Sequence, residues 1–192
     1  MSAVIQARAV VIGASAGAIQ ALSEILPLLP VEFPLPIVIV VHVPADRQNI
    51  LAPLFEKKCR MAVREAEDKE PAAPGTVFFA PSDYHLLLEA DCTLALSSDE
   101  PVMHSRPSID VLFESAADAL GSDLVGIILT GANSDGAAGL KAIIEGGGAG
   151  IVEDPALAYA DAMPLAALKL CPSARVMTRT AIVQFLSEGL AL

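Results

Sequence analysis

Short apolar segments alternate along the chain with longer segments in which apolar residues recur every three or four positions. The apolar segments predict buried strands, and the periodic segments predict helices that pack against them. The predicted strands cover residues 9–12, 37–41, 76–80, 124–130, 150–152 and 175–177. The predicted helices cover residues 19–29, 48–58, 107–120, 137–145 and 164–170, with a last one from residue 180. Because strands and helices alternate, we expect a doubly wound α/β fold in which helices cover both faces of a mostly parallel sheet.

One region departs from this alternation. The apolar segments 84–89 and 93–96 are separated by only three residues, and this spacing favours an antiparallel hairpin over another crossover. The charged, proline-bearing segment 65–74 predicts a surface loop. No linker or internal repeat interrupts the pattern, so we expect residues 1–192 to form a single domain.

Composition, the length of the apolar segments and the N-terminal sequence predict where in the cell the protein lies. Hydrophobic residues make up 54% of the chain but aromatic residues only 4%, a mix that suits a parallel sheet covered by alanine-rich helices. Polar residues and prolines interrupt every long apolar stretch before it reaches the roughly 20 residues that a membrane-spanning helix needs. The N-terminus also lacks the features of a signal peptide. We therefore expect a cytoplasmic protein without membrane insertion.

The net charge and the cysteine content argue against a nucleic-acid-binding protein and against a cysteine-ligated metal site. The net charge of −11 argues against a nucleic-acid partner, because binding phosphates requires a basic surface. The three cysteines, Cys59, Cys92 and Cys171, are scattered and show no metal-ligand spacing. They are expected to be free, inert thiols in a reducing compartment.

Candidate chemistry lies where three of the predicted strands end. The first strand runs into Gly13-Ala14-Ser15-Ala16-Gly17, a Gly-x-Ser-x-Gly turn that presents its serine at the tip. The second strand ends at His42, and the loop after residue 130 carries Asp135. Sites of open α/β sheets form at the carboxyl ends of strands, so we expect the three side chains to meet.

These three residue types fit the roles of a serine hydrolase. Ser15 would be the nucleophile, His42 the base that takes its proton, and Asp135 the acid that orients the imidazole. The backbone N–H of Ala16 would bind the oxyanion, with Gly131 or Ala132 bringing a second donor. Arg106, at a predicted helix start, has two open interpretations: a substrate-binding residue or one partner of a surface salt bridge.

Each residue also has a purely structural interpretation. Ser15 could cap a helix, His42 could be a structural histidine, and Asp135 could cap the helix that follows it. His85 and His104 are competing candidates for the base. We expect His85 to lie at the rim of the site and His104 in an exposed loop. Three structural roles at three converging strand ends are a weaker explanation than one active site.

Several segments together resemble the catalytic domain of the chemotaxis-receptor protein-glutamate methylesterases, the CheB type. They are residues 13–17, His42-Val43-Pro44, 106–113 with Arg-Pro-Ser, 129–137 with Thr-Gly-x-x-x-Asp-Gly, and Met163-Pro164. The resemblance implies a Rossmann-like sheet and hydrolysis of glutamyl methyl esters on the cytoplasmic helices of chemoreceptors, with deamidation of glutamines as a second activity. It also assigns Ser15, His42 and Asp135 as nucleophile, base and acid, and it implies no metal or organic cofactor.

The chain departs from the family pattern at several points. Ala16 and Ala18 replace residues that are commonly threonine and glycine, Ala132 stands where methionine is usual, and Glu153 stands where glutamine is frequent. Glu153 is expected to add a negative charge near the site. Many members also carry an N-terminal receiver domain, for which this chain has no room, so a separate receiver protein is a candidate partner.

Two other functional classes stay open. The altered positions allow a non-catalytic receptor-binding or scaffold domain of the same fold. A nucleotide-dependent oxidoreductase is disfavoured, because the second strand ends in His42 and not in an acidic ribose ligand. The Tyr-x-x-x-Lys pair of short-chain dehydrogenases is also absent, since Met163 follows Tyr159 at that spacing.

Overall fold

The computed structural model of the protein describes residues 5–42, 50–188 and 190–191. Its strands are β1 (Ile5–Gln6), β2 (Ala9–Ala14), β3 (Ile37–Val41), β4 (Ala62–Glu65), β5 (Thr76–Phe79), β6 (His85–Leu88), β7 (Leu94–Ser97), β8 (Leu124–Ile128), β9 (Ala149–Glu153), β10 (Arg175–Met177) and β11 (Leu190–Ala191). Its α-helices are α1 (Ala18–Ile25), α2 (Leu51–Glu56), α3 (Ile109–Leu120), α4 (Ala137–Glu145), α5 (Ala162–Leu170) and α6 (Arg179–Glu188).

Within the described ranges, seven strands form one parallel sheet in the order β10-β9-β8-β2-β3-β5-β4. In chain order this sheet begins with β2 in its middle, continues with β3, β4 and β5 on one side, and ends with β8, β9 and β10 on the other. Loops on the two sides of β2 therefore diverge at its carboxyl end, which is where open α/β sheets bind their ligands. The predicted doubly wound fold is confirmed.

Alternate side chains of the central strands enter two separate apolar layers. Val10 and Ile12 of β2 point to one face, which α1, α2 and α6 cover. Ala9 and Val11 point to the other, which α3, α4 and α5 cover. Because both faces are buried, the central strands are apolar throughout, which is why they stand out in the sequence.

The predicted hairpin is also confirmed. Strands β6 and β7 pair antiparallel and form a small sheet of their own, with His85 opposite Ser97. Strand β4 was not predicted from the sequence. It lies at the edge of the parallel sheet, where only Val63 is buried and Arg64 and Glu65 are exposed, so it has no apolar run.

Some predicted boundaries shift for local reasons. Helix α1 ends at Ile25 and continues as a 3₁₀ turn over Leu26–Leu28, because Pro27 has no N–H for a helical hydrogen bond. The predicted helix at 48–58 is observed over Leu51–Glu56, and residues 48 and 49 lie outside the described residues.

Candidate active site

Ser15, His42 and Asp135 follow three neighbouring strands of the sheet. Ser15 comes directly after β2 and His42 directly after β3, while Asp135 lies on the loop after β8. Backbone hydrogen bonds hold these ends together: the Ser15 N–H donates to the Thr130 carbonyl at 2.9 Å, and the His42 N–H donates to the Ala14 carbonyl at 3.2 Å. The three residues that the sequence singled out therefore lie at adjacent strand ends, on both sides of β2.

The Ser15 turn is set by backbone geometry. Gly17 adopts the left-handed conformation with φ of 84°, which L side chains rarely adopt, and α1 begins at the next residue. A Cβ on Gly17 would also lie 2.6 Å from the Cβ of Tyr159. The hydroxyl of Ser15 is partly exposed and makes no hydrogen bond within residues 5–42 and 50–188. This turn therefore presents an unengaged hydroxyl at the start of a helix.

His42 bridges Asp135 and Asn133. Its Nε2 lies 2.7 Å from Oδ2 of Asp135, and its Nδ1 lies 3.2 Å from Nδ2 of Asn133. An ionised carboxylate only accepts and an amide NH₂ only donates, so Nε2 carries the hydrogen and Nδ1 presents its lone pair. The imidazole is thus held in one tautomer, with Nδ1 as its basic nitrogen.

The Asp135 carboxylate is fully buried, and its oxygens are saturated with donors. Besides the imidazole they accept hydrogen bonds from the start of α3, namely from the N–H of Ile109 (2.7 Å), the N–H of Asp110 (3.0 Å) and Oγ of Ser108 (2.9 Å). Burial alone would raise the pKa of Asp135, but the hydrogen bonds from His42 and the backbone outweigh it, and the pKa lies below its usual value. The carboxylate therefore stays ionised behind the imidazole.

A second carboxylate completes a reciprocal arrangement. Asp110, in the first turn of α3, accepts hydrogen bonds from the N–H groups of Gly136 (3.0 Å) and Gly139 (2.7 Å) at the start of α4. Asp135, which precedes α4, instead caps α3. The structural interpretation in which Asp135 caps its own following helix is therefore wrong. Burial, and then the charges of Asp135 and Glu114, raise the pKa of Asp110 to about 6.

Thr130 links the serine turn to a buried ion pair. Its hydroxyl donates to the Ala16 carbonyl at 2.8 Å and accepts from the Ala160 N–H at 2.9 Å. Its own N–H donates to Oε2 of Glu153 at 2.8 Å, and Oε1 of Glu153 lies 2.7 Å from Nε of Arg179. The charge expected from Glu153 is therefore matched by Arg179 and does not stand alone beside the site.

The predicted oxyanion donors separate into two groups. The N–H groups of Ala16 and Ala132 make no hydrogen bond among the described residues. Gly131 is not available as a donor, because its N–H bonds to the Ala160 carbonyl at 3.0 Å. The space that Gly131 leaves is also filled by Met163, whose Cε would lie 2.6 Å from an added Cβ.

Arg106 is engaged with the protein itself. Its guanidinium bonds to Asp83 through Nε (3.0 Å) and Nη2 (2.6 Å), and Nη1 donates to the carbonyls of Ser98 (2.9 Å) and Asp99 (3.0 Å). These contacts favour the salt-bridge interpretation of Arg106 over substrate binding.

The competing histidines are placed differently from each other. The sequence predicted His85 at the rim of the site, but this prediction is wrong, because His85 is buried. Its Nε2 donates to the Glu100 carbonyl at 3.0 Å and its Nδ1 accepts from the Ser108 N–H at 3.2 Å, so neither nitrogen is free to act as a base. His104 is exposed, as expected.

Sequence reasoning missed the roles of Ser108, Asn133 and Thr130. All three lie within segments that were quoted for the resemblance, but their contacts cross between distant parts of the chain, and no local spacing reports them. The quoted Val43 and Pro44 lie outside the described residues.

Metal binding and membrane insertion have no structural support among the described residues. The described ranges contain no cluster of three or more His, Cys, Asp or Glu side chains that could hold a metal ion. None of the described helices has the length and apolar character needed to cross a membrane. The three cysteines are free of disulfides. Burial raises the pKa of Cys59 to about 11 and also raises the pKa of Cys171, so the thiolate forms of these two residues are disfavoured.

The chain belongs to the CheB methylesterase family, whose model matches residues 10–186. A Leptospira interrogans protein, provisionally named a protein-glutamate methylesterase/protein-glutamine glutaminase, is 50% identical over 161 residues, covering 84% of this chain and 83% of its own. Protein-glutamate methylesterase/protein-glutamine glutaminase 1 of Carboxydothermus hydrogenoformans is 39% identical over 94% of this chain but only 55% of its own length. The crystal structure of the Thermotoga maritima CheB methylesterase catalytic domain superposes with a TM-score of 0.90 at 33% identity, covering 95% of this chain and 98% of that one.

Proposed function

We propose that this protein is a serine hydrolase that demethylates glutamyl methyl esters, and deamidates glutamines, on the cytoplasmic helices of chemoreceptors. One observation carries the proposal: the 2.7 Å hydrogen bond between His42 and the buried carboxylate of Asp135. It lies at the carboxyl ends of the central strands, where Ser15 also lies. The names of its relatives supply the substrate class.

The mechanism assigns each group one task. Oγ of Ser15 attacks the ester carbonyl carbon while Nδ1 of His42 takes the hydroxyl proton. Asp135 stabilises the imidazolium that forms, since Nε2 already donates to its carboxylate. The negative oxygen of the tetrahedral intermediate binds the N–H of Ala16, with Ala132 as the second donor.

The intermediate collapses as the bond to the methoxy oxygen breaks, and that oxygen takes the proton from Nδ1 and leaves as methanol. A water molecule then attacks the glutamyl-serine ester, giving a proton to Nδ1, which returns it to Oγ of Ser15. The product is a glutamate side chain. With glutamine as substrate, the same steps release ammonia.

The test is methanol release from a methylated receptor cytoplasmic domain. We expect Ser15→Ala to lower kcat by at least about 10³-fold without changing the unfolding temperature, since only the oxyanion donors and substrate binding would remain. Ser134→Ala is the matched control, because Ser134 is exposed and its hydroxyl makes no hydrogen bond within the described residues. Full activity in Ser15→Ala would reject the nucleophile, and no turnover by the unmodified protein would favour the scaffold alternative.

The receptor helices as partners, and a separate receiver protein as regulator, stay predictions that derive from the family resemblance. Association of the protein with a receptor cytoplasmic domain, measured with the inactive Ser15→Ala variant, tests the first without turnover.

A further inference from the structure

The side chain of Asn133 contacts both the base and the acid of the candidate site. It lies on the loop between β8 and α4, and its side-chain Oδ1 accepts a hydrogen bond from the Asp135 N–H at 3.1 Å. This bond fixes the orientation of the amide, because only the oxygen accepts. Its Nδ2 is thereby directed to Nδ1 of His42, 3.2 Å away.

The nitrogen that Asn133 contacts is the one that the proposed mechanism needs. Nε2 is committed to Asp135, so Nδ1 is the only ring nitrogen that can take a proton from Ser15. In this structure the lone pair of Nδ1 is used by the amide of Asn133, and Oγ of Ser15 has no hydrogen-bond partner among the described residues. Nucleophile activation therefore requires one hydrogen bond to be exchanged for another.

We propose that Asn133 is a positioning residue that holds the base in a resting state until substrate enters. The proposal rests on the assignment of Ser15 and His42 as nucleophile and base. The amide keeps the lone pair of Nδ1 satisfied, and it must be displaced before Nδ1 can accept the proton of Ser15.

A purely structural role does not account for this contact. The Asp135 side chain accepts hydrogen bonds from Ser108, Ile109 and Asp110, none of which depends on Asn133. Asp135 alone also selects the tautomer of His42, since its carboxylate requires a hydrogen on Nε2. Asn133 itself is exposed, so its removal opens no cavity in the core.

Substitutions at this position predict effects of opposite sign. Asn133→Ala and the near-isosteric Asn133→Leu free Nδ1, so we expect Ser15 to be labelled by a small fluorophosphonate about 2- to 10-fold faster, the range that one neutral hydrogen bond accounts for. Asn133→Asp places an acceptor against Nδ1 and favours a proton there, so labelling should slow by about tenfold. Ser134→Ala, one residue along the same loop, should leave the rate unchanged.

A spectroscopic measurement decides the contact independently of reactivity. With ¹⁵N-labelled histidine, the Nδ1 resonance of His42 in Asn133→Ala and Asn133→Leu should move toward that of a ring nitrogen without a donor. An unchanged resonance would overturn the inference, and so would labelling no faster than in the unmodified protein where the unmodified protein is itself labelled at Ser15. Because the resonance requires no turnover, an unreactive Ser15 would count against the proposed function and not against this contact.

Discussion

The two halves of the candidate site are held in different ways. The base half, His42 with Asp135, is fixed by side chains, since the buried carboxylate accepts four hydrogen bonds from the imidazole and the start of α3. The serine half is fixed by backbone, through the Ser15 N–H and the left-handed Gly17, while the Ser15 hydroxyl makes no hydrogen bond to any other described residue. The base is thus oriented before substrate arrives, and the nucleophile is left free to form its bond with substrate.

The difference follows from charge. A buried carboxylate without donors would be protonated or would destabilise the fold, so Asp135 needs its full set of partners. A neutral hydroxyl at a partly exposed position has no such requirement. Substitutions should therefore be costly in the base half and its supports, and the cost should fall with distance and exposure.

The largest effect is expected from Asp135→Asn. In either orientation the amide turns its NH₂ toward a backbone N–H at the start of α3, and with the NH₂ at the Oδ2 position it also faces Nε2 of His42. The tautomer that leaves Nδ1 basic would then no longer be enforced. We expect kcat for ester hydrolysis to fall by about 10³- to 10⁴-fold, as for the loss of tautomer control in other serine hydrolases. Asp118→Asn is the matched control, because Asp118 is exposed. A fall in kcat of less than tenfold would show that catalysis does not depend on the carboxylate of Asp135.

The next effect concerns the support beneath the serine half. Glu153→Ala leaves the Thr130 N–H and the Arg179 guanidinium without their buried acceptor, so we expect the free energy of unfolding to fall by about 3 kcal/mol. Glu153→Gln keeps one carbonyl acceptor and should lose less. Urea unfolding measures both, with the exposed Glu145→Ala as the control. Equal losses in the two variants would show that the lost charge dominates, and not the hydrogen bond that glutamine can still accept.

A smaller, pH-dependent effect is expected at Asp110, whose pKa of about 6 lies above its usual value. Between pH 4 and 6 the native state holds more protons on this group than the unfolded state, so its contribution makes the protein less stable as pH rises. Asp110→Asn removes this dependence, while its carbonyl oxygen still accepts from Gly136 and Gly139. The depressed pKa of Asp135 acts with the opposite sign, but only below its usual titration range.

Unfolding of the Asp110→Asn variant and the unmodified protein at pH 4 and pH 7 measures this contribution. The difference in free energy of unfolding should change by about 2 kcal/mol in favour of the variant at the higher pH. A difference that does not depend on pH would mean that Asp110 is ionised throughout.

These supports mark the limit of what the sequence predicts. The buried strands, the hairpin and the positions of Ser15, His42 and Asp135 at strand ends follow from apolar runs and from the topology of parallel sheets. The exchange of caps between Asp110 and Asp135, and the Glu153–Arg179 pair under Thr130, join residues more than 20 positions apart. They depend on how helices pack, and no local period encodes this. The engagement of Gly131 with Ala160 was missed for the same reason.

The smallest effect is expected at the exposed pair of Asp83 and Arg106, ahead of α3. Asp83 is well exposed, so Asp83→Ala should lower the free energy of unfolding by less than about 1 kcal/mol, and the loss should shrink further at high salt. The variant frees Nε and Nη2 of Arg106, while Nη1 still donates to its two backbone carbonyls. If the pair is only structural, KM for methylated receptor should stay within about twofold of that of the unmodified protein. A larger fall in KM would mean that the released Arg106 binds substrate, and the base half would then extend to substrate recognition.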